Sequence, residues 1–131
     1  MSGLSYYAHK YLGDQAIALG RWMSLHTADP TDFGSTAAEV PTDGTNYARV
    51  DMAGKMSSFD SSSGRAVLID NVDVGPPPVG VDWGLITHAG FWDAQTGGNM
   101  IMSGPLQTAQ DITSGKQFQL VPGQFQIGKT P

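Results

Sequence analysis

Cysteine is absent from these 131 residues, which excludes a disulfide framework and any thiolate metal site. Glutamate is nearly absent: Glu39 stands alone beside eleven aspartates. Helical surfaces use glutamate freely, whereas aspartate serves turns, so the imbalance points to strands and loops. Lys and Arg number only seven and form no run, against a net charge of −5, so no phosphate-binding surface for nucleic acid is expected. No apolar stretch approaches membrane-span length, and Met1-Ser2-Gly3-Leu4 lacks the basic and apolar regions of a signal peptide. Synthesis in a cytoplasm and no membrane contact are the expectation. The chain also lacks a Gly-x-Ser-x-Gly elbow, a phosphate-binding glycine loop and a cysteine nucleophile, so neither an enzyme nor a cofactor is expected.

What is abundant is punctuation. Seventeen Gly and eight Pro predict frequent turns between short strands. The clearest stretch is Trp83 to Leu106. Leu85, Thr87, Ala89 and Phe91 alternate with Ile86, His88, Gly90 and Trp92; a turn-rich Asp93–Asn99 follows, and Met100–Ser103 resumes an extended run. That pattern is a β-hairpin closed at Gly97-Gly98, and apolar groups on both faces of its first strand place it inside a sandwich or barrel.

The remaining chain predicts a mainly β fold, sandwich or jelly-roll-like, with a short N-terminal helix. Residues 1–20 read as a helix or arm and 21–131 as a single β-sandwich domain. Helical spacing covers Ser2–Leu12, with Ser2 or Ser5 as cap and Gly13 as stop, and a second turn runs Asp14–Leu19. Strands are predicted at Arg21–Thr27, Tyr47–Met52, Arg65–Val72, Leu106–Ile112, Gln117–Leu120 and Gln124–Ile127, for seven or eight in all. A long loop from Ala28 to about Thr45, a Ser-rich connection at 57–64, a ladder-free polyproline II crossing over Val74–Gly80 and a fraying end from Gly128 complete the chain.

Trp22, Leu25, Leu68, Trp83, Phe91, Trp92 and Phe118 lie on or beside predicted strands and are core candidates. Tyr6, Tyr7, Tyr11, Asp29, Asp32, Phe33 and Glu39 lie outside them and are candidate partner contacts, with Tyr the commonest contact aromatic. His26 and His88 with Asp29 and Asp93 match no metal-ligand spacing, and Asp29 with Asp32, or Asp43 near Asn46, does not resemble a calcium loop, so no metal is expected.

Leu25-His26-Thr27-Ala28-Asp29-Pro30-Thr31-Asp32, then Glu39-Val40 and Tyr47-Ala48-Arg49, resembles the opening of a family of small tailed-bacteriophage proteins usually labelled tail-fibre proteins. Trp83-Gly84, Thr87-His88, Trp92-Asp93-Ala94, Gly97-Gly98, Leu106 and Ser114-Gly115-Lys116 with Phe118 are similar to its second half, and the likeness covers roughly Leu4 to Ile127. The resemblance implies a virion structural protein with a β-sandwich and carries no catalytic residue across. With no heptad or collagen-like repeat to make a shaft, a compact knob fits best. The leading expectation is a capsid decoration (cement) protein binding the major capsid protein or other virion proteins as a homo-oligomer, a trimer for preference. The alternatives are a tail-tip or fibre-associated module and a receptor or glycan-binding domain stacking sugars on Trp22, Trp92 or Tyr47.

Overall fold

The computed structural model describes residues 5–31, 33–58 and 65–128. Among them are one helix, α1 (Tyr6–Leu19), and eight strands: β1 (Trp22–His26), β2 (Val50–Asp51), β3 (Arg65–Val67), β4 (Val72–Val74), β5 (Gly84–Trp92), β6 (Met100–Ile112), β7 (Phe118–Leu120) and β8 (Gln126–Gly128). Pairing is antiparallel throughout, in a sheet of order β2-β1-β5-β6 and two ribbons, β3-β8 and β4-β7. The fold is mainly β with one short N-terminal helix, as the composition predicts. Its layers share one core, in which Phe91 of β5 meets Phe125, just ahead of β8, edge to face at 5.6 Å.

The helix departs from its sequence reading. Ser5 caps it, its hydroxyl accepting from the Ala8 N–H at 3.1 Å, but the helix passes through Gly13 without a break. Lys10 and Asp14 pair across that glycine at 2.9 Å, and a single helical glycine costs only about 1 kcal/mol. What stops α1 is packing at Gly20, where a Cβ would lie 3.0 Å from Phe91 Cβ and 3.3 Å from Ile101 Cβ. Residues 1–4, where the helix was also expected, lie outside the described residues.

The β5–β6 hairpin forms as its alternation predicts. Asp93 ties its turn, accepting the Asn99 N–H at 2.8 Å on its carboxylate, while Gly97 and Gly98 take φ of 62° and 75°. Its second strand is longer than expected. Met100–Ser103 and Leu106–Ile112 join as one 13-residue β6, bulged so that residues 106–109 oppose Thr87 alone.

The strand expected over Tyr47–Met52 shrinks to Val50–Asp51. The Leu25 positions it would pair with are already used: the Leu25 N–H donates to Tyr47 Oη at 3.1 Å and its carbonyl accepts from Val40 N–H. The stretch Arg65–Val72 splits between two ribbons at Asp70-Asn71, whose carboxylate and amide close a turn, leaving Ile69 exposed. Of the crossing expected over Val74–Gly80, Val74 pairs with Phe118 as the last residue of β4, residues 75–80 form no ladder, and the Gly75–Pro76 peptide is cis where polyproline II has trans bonds. Gly128 ends β8; the remainder of the predicted fraying end and most of the Ser-rich connection lie outside the described residues.

Candidate functional site

Leu25, Leu68, Trp83, Phe91, Trp92 and Phe118 are buried. Trp22 is a correction: it opens β1 half-buried, with the Arg21 guanidinium 5.4 Å from its ring centroid, because strand alternation puts it on the face opposite Met23 and Leu25, which enter the core.

Beneath the end of β5 lies a buried polar cluster that none of these assignments anticipated. Antiparallel pairing sets Ser24 opposite Gly90 and His26 opposite His88. Because Gly90 carries no side chain, the Trp92 indole reaches back and donates to Ser24 Oγ at 2.7 Å; a Cβ at Gly90 would sit 2.8 Å from that oxygen. An indole N–H can only donate, so Ser24 accepts there and contacts His26 Nε2 at 2.6 Å. His26 is fully buried, and its Nδ1 has no hydrogen-bond partner. Burial pushes its pKa below the ordinary value, with Arg49 and His88 pushing the same way against Glu39 and Asp29.

Arg49 joins this cluster to the loops above it. Its guanidinium stacks 4.0 Å from the Trp92 ring centroid and grips Glu39 with two 3.0 Å bonds, from Nε to Oε2 and from Nη2 to Oε1. Its Nη1 donates to the carbonyls of Ala94 (3.1 Å) and Gly97 (2.7 Å) in the hairpin turn. Tyr47 adds a hydroxyl to Glu39 Oε2 at 2.7 Å. Burial pushes the Glu39 carboxyl up, but the bonds from Arg49 and Tyr47 and the charges of Arg49 and His26 outweigh it, and its net pKa falls. Tyr47 is held protonated, its pKa raised by burial and then by the Glu39 charge. Residues 27–49 thus form a strap clamped over the sheet edge, further held where Trp83 Nε1 donates to the Thr45 carbonyl at 2.9 Å.

This geometry redistributes the predicted contact residues. Glu39 faces inward, its side chain 11% exposed, because it is the counter-ion of Arg49. Phe33, by contrast, is 97% exposed at the strap's far turn, beside an exposed Asp29. Tyr7 and Tyr11 are exposed on α1 with ring centroids 6.4 Å apart. Tyr6 opens α1, but its side chain, like the whole of Asp32, lies outside the described residues. Of the suggested sugar platforms, Trp92 and Tyr47 are buried, so neither offers a free face. Sequence reasoning missed Arg49, Ser24 and His26 as a unit. Only one signal could have found it, a sole glutamate ten residues before an arginine in a chain that otherwise avoids glutamate.

Among the described residues there are thus two exposed aromatic features, α1 and the strap turn, on a body whose polar interior serves to fix the strap. Among the described residues no three His, Asp or Glu cluster at metal-binding distance, and no helix is long and apolar enough to cross a membrane. A search of curated proteins returns no match. The family described as Podophage GP4 fiber I protein gp80 matches residues 9–128, from within α1 to the end of β8, spanning sheet, ribbons and strap alike. The chain therefore belongs to the Podophage GP4 fiber I protein gp80 family, a family of phage fibre structural proteins.

Proposed function

We propose that the chain is a compact β knob of the fibre apparatus of a tailed-phage particle, holding its neighbours through α1 and the strap. One observation carries this reading: the fibre family matches the folded body from residue 9 to residue 128, and not an isolated segment. The placement of exposed aromatics supports it, since Tyr7, Tyr11 and Phe33 stand on those two elements while Trp83, Phe91 and Trp92 are consumed by the core. The role is structural, with no chemical step.

A second reading, head decoration, draws on the shape of the described residues, which pack as short layered strands without an elongated shaft. It would stabilise the shell by mass action, since a protein that binds only the assembled shell favours it. Separation of purified particles into heads and tails, followed by immunodetection of the chain, tests both. Recovery with the tail and fibre fraction supports the fibre reading; recovery with heads, at a fixed ratio to the major capsid protein, replaces it with decoration.

A further inference from the structure

The strap's outer turn is built around a left-handed threonine. Thr31 adopts φ of 63°, a left-handed conformation that a β-branched residue occupies only at a cost of about 1–3 kcal/mol. Hydrogen bonds hold it there. Asp29 Oδ1 accepts the Thr31 N–H at 2.8 Å, Thr31 Oγ1 accepts the Phe33 N–H at 3.3 Å, and the Pro30 carbonyl accepts the Ser35 N–H at 2.8 Å. Pro30 is buried, and Gly34 packs so closely that a Cβ there would lie 3.0 Å from Met100 Cβ and 3.5 Å from the Trp92 ring. The turn is therefore anchored at its base by Pro30 and Gly34, the latter seated on the same Trp92 that Arg49 stacks against. At its tip Phe33 is 97% exposed and contributes nothing to the core.

Charge narrows what could receive it. No Lys or Arg occurs between Arg21 and Arg49, whereas Asp29, Asp32 and Asp43 fall in that interval and Glu39 is neutralised by Arg49. A second copy of the chain suits it poorly. Every copy carries a net charge of −5, and Lys10, Arg21, Arg49 and Lys55 are already paired with Asp14, Asp51, Glu39 and Asp70 of their own chain, so two copies repel where a basic partner would attract.

We propose that the strap turn carrying Asp29–Thr31 and Phe33–Ser35 is a docking knob whose Phe33 inserts into an apolar pocket, rimmed by Lys or Arg, on a different virion protein. The inference rests on the virion role proposed above and adds to it the anchoring residue and the chemistry of the partner. The anchored base reduces the conformational freedom to be lost on binding, and the acidic residues of the strap steer the approach.

The test is co-sedimentation of the full chain with phage particles produced without it, at low and high salt, comparing wild type with Phe33→Ala. Thermal unfolding and light scattering are recorded on both proteins. Phe33→Ala should unfold at the wild-type temperature yet bind at least about 30-fold more weakly, and wild-type binding should weaken as salt rises. Equal binding by both proteins overturns the knob while leaving the virion role intact. Salt-independent binding overturns the basic rim. Self-association lost in Phe33→Ala makes a second copy the occupant and overturns the proposal, and a wild-type chain that ignores the particles overturns the virion role together with it.

Discussion

Arg49 is the residue on which most of the strap depends, and its value lies in shape as much as charge. Lysine at this position keeps the charge but cannot chelate Glu39 through two nitrogens, reach two turn carbonyls and lie flat near Trp92 together. Arg49→Ala should cost about 3–5 kcal/mol in chemical denaturation, since it strands a buried carboxylate, and Arg49→Lys should fall between it and wild type. A lysine variant with an unchanged midpoint would mean the fork geometry is immaterial. Thr31→Asn should move the other way. Asparagine tolerates positive φ and keeps an oxygen for the Phe33 N–H, so a gain of about 1 kcal/mol in unfolding free energy is expected, and a loss would show that Thr31 is unstrained. Neither role was legible in the sequence. An arginine's partners ten and forty-eight residues away leave no local pattern, and positive φ at threonine runs against its propensity.

At the scale of elements, legibility tracked the range of the forces involved. The β5–β6 hairpin could be read because alternation, turn residues and paired glycines are all local. The end of α1 at Gly20 was legible too, from the turn expected over Asp14–Leu19; what was not is that Gly20 meets Phe91 and Ile101, far along the chain, while Gly13, read as a stop, is simply tolerated. Two substitutions separate these cases. Gly13→Ala should raise stability by about 0.5–1 kcal/mol through helix propensity alone. Gly20→Ala, at an ordinary φ of −82°, should lower it because the added methyl meets Phe91 Cβ at 3.0 Å. Urea midpoints that shift in the same direction for both would discredit the packing account of the helix end. The truncation of the strand at Tyr47–Met52 has the same origin, since a tyrosine hydroxyl taking the Leu25 N–H is a tertiary event.

Across the whole molecule, two buried groups make stability depend on pH in one direction. His26 has a lowered folded pKa, chiefly from burial, so its contribution is complete above its ordinary 6.5 and is lost as pH falls below that value. Glu39 also has a lowered folded pKa; its contribution is present above its ordinary 4.5 and is lost as pH falls through the folded value. Acidification from neutrality should therefore weaken the fold first through His26 and then through Glu39. His26→Asn should flatten the upper part of a denaturation-midpoint profile between about pH 7 and 5, and an unaltered slope would remove His26 from the account. Composition made the mainly β character and the acidic balance legible at this scale, but not that the interior spends Arg49, the one buried cation among the described residues, on holding one loop. That expenditure bears on the order of folding. The Ala94 and Gly97 carbonyls that receive Arg49 belong to a turn that exists only once β5 and β6 have paired, so the strap is expected to order late in folding. On the docking proposal above, Phe33 would then be displayed only by chains whose β5–β6 turn has already formed.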